Sequence, residues 1–402
     1  MHALRARHAF DGESFMAGGA TVLIEDGSII GVESYGFSVP GFCQVTGHEG
    51  TLLPGLIDAH THLVTDSGVS ALDRVAGYSA EEIDEVVSAA LHDQLVAGVT
   101  TVRDLGDRRF CVLERRDRQL SPHVIEPLIV ASGPPLTSRN GHCHYLGGVV
   151  SGTDEIIRAV AERVERGVDI IKVMASGGVN TPGTDAMLTQ FSAAELQLIV
   201  DRAHAAGVPV TAHAHGTPAV EQALSAGVDG IEHCSCVTAH GFGQVSEETV
   251  SALARSRIAV CPTIGVDTHL MVSPPPAVQA MMARIRVTTE EMLQGRSDFV
   301  GRLHRSGVRL VSGADSGIGP AKRHGVLPYA VCELVTAGLN VTEALATATS
   351  GAAQACGVVD RKGRIAHGYD ADLLVVDGDL EADVTALHRP RSVLLRGLPV
   401  SL

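Results

Sequence analysis

The chain has 402 residues and a globular composition, with 45% hydrophobic residues, 3% aromatic residues and no tryptophan. Its net charge of −15 argues against nucleic acids and anionic membranes as partners, because both attract basic surfaces. Eight cysteines without any CxxC pair predict neither a disulfide-rich scaffold nor a zinc ribbon.

Both ends of the chain alternate apolar with polar side chains and carry glycine-rich turn signals, as short strands do. Residues 21–34 (TVLIEDGSIIGVES) and residues 391–402 (RSVLLRGLPVSL) are examples. We predict that residues 1–51 and 360–402 pair into one small β-sandwich domain outside a central domain of residues 52–359. Independent sheets at the two ends are the alternative.

The central part alternates short runs rich in Val and Ile with helical segments. Ser79 and Ser192 are predicted helix N-caps, each followed three residues later by a glutamate. Eight successive βα units predict a closed (β/α)8 TIM-type barrel. An open, doubly wound sheet is the alternative, but no glycine-rich phosphate-binding turn follows these strands. The predicted strands are residues 51–60, 98–105, 126–132, 169–176, 208–213, 229–233, 258–263 and 308–315.

Two histidines end the first barrel strand, in the sequence LLPGLIDAHTHL. Residues i and i+2 of a strand point to the same side, so His60 and His62 would present both rings to one point, which suits a metal ion. Asp58 has the same parity, but we interpret it as a residue that orients the pair and not as a ligand.

Four further predicted strands carry an ionisable residue at or near their carboxyl end, where the active sites of barrels lie. Each has an ordinary alternative role as a core histidine, a helix N-cap or a lysine that reaches solvent. These alternatives do not explain why all of them meet at one end of the barrel. The four residues are Lys172, His213, His233 and Asp315.

Lys172 lies within the apolar run DIIKVMAS, where an ammonium group would lose its hydration. Such burial lowers the pKa of a lysine and favours the neutral amine. A neutral amine reacts with carbon dioxide to give a carbamate, an anion whose two oxygens bridge two divalent ions as a carboxylate does.

The ordered segments PGLIDAHTH, IKVMASGG, VTAHAHG, GIEHCS and SGADSG resemble the amidohydrolase superfamily, in its binuclear branch with a carboxylated lysine. More narrowly, the chain is similar to the imidazolonepropionase-like amidohydrolases, which include prolidase-like dipeptidases. The resemblance implies two divalent ions, which we take to be Zn²⁺. It implies that one ion is held by His60, His62 and Asp315, the other by His213 and His233, and that carbamylated Lys172 and a hydroxide bridge them.

The resemblance also implies roles in catalysis and substrate binding. Asp315 would be the general base and then the acid that protonates the leaving amine. His142 matches the family's Gly-His element and is favoured over His144 for polarising the developing oxyanion. His215 occupies a position where some prolidase-like relatives have a tyrosine that contacts substrate. Independently of the resemblance, Arg139 is a candidate to pair with a substrate carboxylate.

Arg323 is a further candidate for such a carboxylate, although a solvated arginine is the ordinary interpretation of both arginines. We predict a cytoplasmic homo-oligomer that hydrolyses an amide-type C–N bond in a dipeptide, N-acyl amino acid or related small carboxylate. Cyclic amides, lactams or lactones are alternative substrates.

Two other functions are weaker alternatives. A mononuclear deaminase would typically show an HxxE element after the fifth strand, but Gly216 stands three residues after His213. A non-catalytic barrel would be expected to have dropped metal ligands, whereas every predicted ligand position is present here.

Overall fold

The computed structural model describes residues 1–119, 125–271, 273–274 and 276–402, which form a mixed α/β fold. Its strands are β1 (His2–Ala9), β2 (Ala20–Glu25), β3 (Ser28–Ser34), β4 (Gln44–Pro54), β5 (Leu56–Thr61), β6 (Val99–Asp104), β7 (Leu128–Ala131), β8 (Ile171–Met174), β9 (Val210–Gly216), β10 (Gly230–Val237), β11 (Ala259–Cys261), β12 (Leu373–Val376), β13 (Pro390–Leu395) and β14 (Leu398–Pro399). Its α-helices are α1 (Ala71–Arg74), α2 (Ala80–Val96), α3 (Cys111–Arg118), α4 (Thr153–Glu165), α5 (Ala193–Ala205), α6 (Thr217–Ala226), α7 (Glu247–Arg255), α8 (Pro276–Ile285), α9 (Thr289–Arg305), α10 (Leu327–Thr336), α11 (Val341–Thr347) and α12 (Ser350–Ala355).

Strands from both ends of the chain form one seven-stranded sheet, in the order β14-β13-β12-β4-β1-β2-β3. The long strand β4 joins the two ends, because it pairs parallel with β1 and antiparallel with β12. The predicted pairing of the termini is therefore confirmed, and separate terminal sheets are excluded. The sandwich form and the domain boundaries stay predictions.

The central strands form two parallel sheets, β5-β6-β7 and β8-β9-β10-β11. Backbone hydrogen bonds link the two sheets on one side, where Leu136 N donates to Lys172 O at 2.8 Å. On the other side, residues 308–316 lie between β11 and β5. There Val311 N donates to Val260 O, and Asp315 N donates to His60 O, both at 2.9 Å. Parallel pairing brings the carboxyl ends of these strands to one edge.

Two of the predicted strands differ from the structure. Residues 51–60 are not one strand, because β4 ends at Pro54 and β5 begins at Leu56. Gly55 between them passes so close to Thr100 that a Cβ would lie 2.2 Å from its Oγ1. Residues 308–315 form no assigned strand; an isolated bridge occurs at Leu310, and another at Ser316 directly after them. A regular strand is interrupted here because Asp315 adopts a left-handed φ of 58°.

The two predicted N-caps are confirmed. Ser79 begins α2 and Ser192 begins α5, and each forms a capping box with the glutamate three residues later. Both helices therefore start where the sequence signals place them. Among the residues that the structure describes, no helix has the length and apolar character needed to cross a membrane.

Gly55→Ala should lower the free energy of unfolding by about 1–3 kcal/mol, because the added methyl group overlaps the side chain of Thr100. Gly47→Ala in the same strand β4 is the matched control, since a Cβ there meets nothing within 4 Å. Adding Thr100→Ala should restore part of the loss. Equal denaturant midpoints for the two single variants would contradict the close approach.

Candidate metal centre

The carboxyl ends of the parallel strands bring the predicted ligands together in the protein interior. They lie in or next to β5, β8, β9 and β10 and in the segment that follows β11. Their exposed fractions range from 1% for His60 and Lys172 to 9% for Asp315. Ionisable side chains buried to this extent are usually paired or bind a metal ion.

The first group of potential ligands is His60, His62 and Asp315, whose donor atoms lie within 4.8 Å of one another. Oδ1 of Asp315 is 3.4 Å from His60 Nε2 and 3.2 Å from His62 Nε2. Among the described residues, His60 Nε2 has no hydrogen-bond partner although it is buried. An unpaired imidazole nitrogen that faces a carboxylate oxygen fits a divalent cation.

Glu232 fixes the orientation of His60. Its Oε2 lies 2.7 Å from His60 Nδ1, while its Oε1 accepts hydrogen bonds from Arg103 at 3.1 Å and Thr211 at 2.6 Å. Burial alone would raise the pKa of Glu232, but the charge of Arg103 and the hydrogen bond with His60 lower it below its usual range. The carboxylate is therefore ionised, and it selects the tautomer of His60 that has its lone pair on Nε2.

Glu232 and Arg103 were not among the predicted site residues. The available signal was a charged residue within a strand of the central domain, Glu232 in GIEHCSCV for β10 and Arg103 in VTTVRD for β6. Both side chains are at most 2% exposed. A buried charge in a strand interior thus marked the residues that support the ligands.

Asp58 is engaged by hydrogen bonds. Its Oδ1 accepts from His60 N at 3.1 Å and from Ala314 N at 2.9 Å, and its Oδ2 accepts from Ser316 Oγ at 2.5 Å. The carboxylate therefore ties β5 to the segment that carries Asp315. This geometry agrees with an orienting role.

The second group is His213, His215 and His233, again with donor atoms within 4.8 Å of one another. The rings of His213 and His233 are 4.5 Å apart, and His215 stacks on His233 at 4.3 Å. His233 Nδ1 lies 2.7 Å from Thr263 Oγ1, and His213 Nε2 lies 3.1 Å from Gly177 O. The structure thus brings His215, predicted as a substrate contact, into the same cluster as the two predicted ligands.

Four histidines of the centre, His60, His213, His215 and His233, are held neutral. Burial lowers the pKa of His60 to about 4 and of His215 to about 3, and it lowers the pKa of His213 and His233 well below the usual value. Neutral imidazole is the form that binds metal ions. The charge state of the cluster therefore suits cation binding at neutral pH.

Lys172 lies in β8, and burial lowers the pKa of its amine. After burial itself, its charge is among the causes that lower the pKa of His60, His213 and His233. Lys172 is therefore within electrostatic reach of both groups of ligands.

The candidate residues on the loop that follows β7 differ in whether they contact the histidine cluster. The ring of His142 is 4.6 Å from that of His213, and His142 Nδ1 lies 2.8 Å from Thr181 Oγ1. His144 Nδ1 instead lies 3.0 Å from Gly141 O, and Arg139 is exposed. In the part of the chain that the structure describes, neither His144 nor Arg139 contacts the histidine cluster.

Arg323, the other predicted carboxylate partner, is occupied elsewhere. Its Nη2 lies 3.5 Å from Asp267 Oδ2, and its side chain is 43% exposed. It is thus a solvated arginine with its own acidic neighbour.

The donor set fits two neighbouring divalent ions. The first group offers two imidazoles and a carboxylate, and the second offers imidazoles. The rings of His60 and His233, one from each group, are 5.2 Å apart. Nitrogen and oxygen donors in buried, neutral or anionic form suit Zn²⁺ or a similar ion.

Comparison with known proteins identifies the family of this chain. A profile of the amidohydrolase family matches residues 51–397. Ochratoxinase from Aspergillus niger is 24% identical over 87% of this chain and 75% of its own length. Imidazolonepropionase from Ectopseudomonas mendocina is 27% identical over 92% of this chain and 89% of its own.

A solved structure of a prolidase complexed with N-methylphosphonate-L-proline has a TM-score of 0.82 to this chain. It is 25% identical and covers 100% of this chain and 99% of its own. Such neighbours imply a TIM-barrel-type α/β fold and support a hydrolase that acts on amide-type C–N bonds. Since the family profile extends over most of the sequence, this chain belongs to the amidohydrolase family.

Proposed function

We propose that the protein is a binuclear metal-dependent hydrolase that cleaves an amide-type C–N bond in a dipeptide, an N-acyl amino acid or a related carboxylate. The observation that carries the proposal is the pair of adjacent, buried ligand groups, with the unpaired Nε2 of His60 facing Asp315. The similarity to a prolidase supports a substrate of this class.

In this proposal, His60, His62 and Asp315 hold one ion, His213 and His233 hold the second, and carbamylated Lys172 is a ligand to both. Zn²⁺ is the first choice because its usual ligands are imidazole and carboxylate. When bound, the ions polarise the substrate carbonyl and lower the pKa of water into the neutral range.

The side chains of the centre supply the proton transfers. Asp315 is held in the ionised form, since its interaction with His60 and its hydrogen bond with His62 outweigh the effect of burial and lower its pKa. Its carboxylate accepts a proton from the attacking water and then donates it to the leaving nitrogen. His142 Nδ1 lies 2.8 Å from Thr181 Oγ1, and Nε2 lies 3.5 Å from Cys143 Sγ. With Thr181 as the donor to Nδ1, His142 carries its proton on Nε2, which would donate to the developing oxyanion.

Cyclic amides are the second candidate substrates, favoured by the similarity to an imidazolonepropionase, an enzyme named for a ring compound. We further propose that the central strands close into a (β/α)8 barrel. The hydrogen bonds of Leu136 with Lys172 and of Asp315 with His60 support closure, because they bridge the two parallel sheets on both sides. A screen of dipeptides, N-acyl amino acids, hydantoins and lactams against the zinc-loaded protein tests the substrate class.

The active protein should contain close to two divalent ions per chain, measured by elemental analysis after gel filtration. His60, His62, His213, His233 and Asp315 offer five potential ligands, more than the three protein ligands that one catalytic zinc requires. Chelators should abolish activity, and added Zn²⁺ should restore it. Full activity with one ion per chain would exclude the binuclear assignment.

Asp315→Asn should lower kcat by roughly a hundred- to ten-thousandfold, because the amide keeps the shape of the carboxylate but cannot accept the proton. Metal content and thermal unfolding should be measured alongside kcat. Asp201→Asn on the exposed face of α5 is the matched control and should stay near the wild-type rate. A metal-loaded Asp315→Asn protein with near-normal kcat would remove Asp315 from the mechanism.

Lys172→Ala should fold but bind metal poorly and hydrolyse almost nothing, because alanine cannot form the carbamate. Only that anionic form of the lysine suits two cations, since an ammonium repels them and a neutral amine binds only one. High concentrations of formate, acetate or propionate should restore metal content and rate, because their carboxylates fill the vacated space. Chloride at equal ionic strength is the control for salt effects.

Lys172→Arg is the control for charge, because arginine stays protonated and forms no carbamate. It should be as inactive as Lys172→Ala and should not respond to the acids. Wild-type metal content and rate in Lys172→Ala without any added acid would show that the lysine is structural.

A further inference from the structure

Two cations that were not predicted from the sequence meet next to the ligand groups. Arg296 on α9 donates from Nη2 to Pro262 O at 3.2 Å and to Thr263 O at 3.1 Å. Lys322 donates from Nζ to Thr263 O and to Ala314 O, both at 2.7 Å. The two side chains thus converge on one carbonyl, and neither residue is fully buried.

The backbone groups that hold these cations belong to the proposed metal centre. Thr263 Oγ1 lies 2.7 Å from Nδ1 of His233, and Ala314 directly precedes Asp315. Arg296 also lines a small recess together with His233 and Ser235. Arg296 and Lys322 therefore border the place where the reacting bond of a substrate would lie.

Neither cation is neutralised by a close carboxylate. In the described ranges, the hydrogen bonds of both side chains go to backbone carbonyls, and neither forms an ion pair within 4.0 Å. Their acidic neighbours are Asp315, a proposed ligand, and Glu333, whose Oε2 accepts a hydrogen bond from Gly265 N at 2.7 Å. Lys322 has Asp58 as a further acidic neighbour, and the oxygens of Asp58 are engaged by His60 N, Ala314 N and Ser316 Oγ. Two like charges in a partly dehydrated site favour the binding of an anion.

Arg296 also has donors to spare. A guanidinium carries five N–H groups. Both hydrogen bonds of the Arg296 side chain come from Nη2, so Nε and Nη1 donate to none of the described residues. A guanidinium edge and an ammonium next to each other match the two oxygens of a carboxylate.

We propose that Arg296 and Lys322 form the subsite that binds a carboxylate of the substrate, and that the enzyme therefore prefers free acids to their neutral amides. This inference deepens the proposed function and rests on it. It replaces the exposed Arg139 and the paired Arg323 as the carboxylate partners.

The test compares N-acetyl amino acids and dipeptides with the corresponding C-terminal amides. Wild-type kcat/KM should be at least tenfold higher for the acids. Arg296→Gln and Lys322→Gln should each reduce this preference about ten- to a hundredfold, mainly through KM, which corresponds to the loss of one charged hydrogen bond. If the two residues only brace the carbonyls of Thr263 and Ala314, acids and amides will lose activity equally, and the proposal is overturned.

Arg302→Gln is the matched control, because Arg302 lies on the same helix and also donates to backbone carbonyls, those of Gly243 and Val245. It should leave the acid-to-amide ratio unchanged. A change in the ratio as large as that in Arg296→Gln would contradict a specific subsite.

Thermal unfolding in the presence of the same compounds keeps the test independent of turnover. Saturating acid should raise the wild-type Tm by about 2 °C or more, whereas the amide should not, and both glutamine variants should lose the rise. If nothing is hydrolysed but the acid-specific rise is present, the proposed function fails while the subsite stands. Equal rises for acid and amide, or no rise with either, overturn the subsite.

Discussion

The carboxylate of Glu232 is the constraint on which the geometry of the centre depends. It is fully buried between four strands and accepts from Arg103 of β6 and Thr211 of β9 while it orients His60 of β5. Removing one partner of such a buried pair typically costs about 3–5 kcal/mol, because the other charge is left without compensation. The network therefore fixes both the relative positions of the strands and the tautomer of His60. An Nε2 lone pair that points into the centre follows directly from this arrangement.

Strained backbone conformations set the direction of three further side chains at the centre. His233, Thr263 and Asp315 have φ values of 68°, 49° and 58°, in the left-handed region that residues other than glycine rarely adopt. Each such residue costs of order 1–3 kcal/mol. Thr263 follows the last ladder position of β11, His233 lies at a register shift of β10, and Asp315 directly precedes the bridge residue Ser316. Hydrogen bonds stabilise these conformations. Asp315 N donates to His60 O, and the carbonyl of Thr263 accepts from two cations.

The sequence predictions that the structure confirms rest on signals within a few residues of one another. The capping boxes at Ser79 and Ser192 depend on residues three apart, and the strands depend on short apolar runs. The break at Gly55 was not predictable in this way, because it is caused by Thr100, a residue of the neighbouring strand.

The same reasoning explains which residues of the centre escaped prediction. Histidines at strand ends are visible in the sequence, since strand direction alone brings them to one edge. Arg296 is different, because it lies on a helix and reaches the centre through Thr263, 33 residues away. Its role depends on tertiary packing and has no local pattern.

The sign of the charge at Lys172 determines whether both ligand groups hold cations at the same time. At an effective dielectric constant of 20, two unit charges 4 Å apart interact with about 4 kcal/mol, so an ammonium beside divalent ions is strongly unfavourable. Glu232 offsets this repulsion only in part, because its carboxylate also compensates the buried charge of Arg103. A neutral amine removes the repulsion but adds no negative charge, whereas a carbamate would reverse the sign and supply two oxygens. In the proposed function, modification of Lys172 and binding of the metal pair would therefore stabilise each other, since each supplies the charge that the other needs.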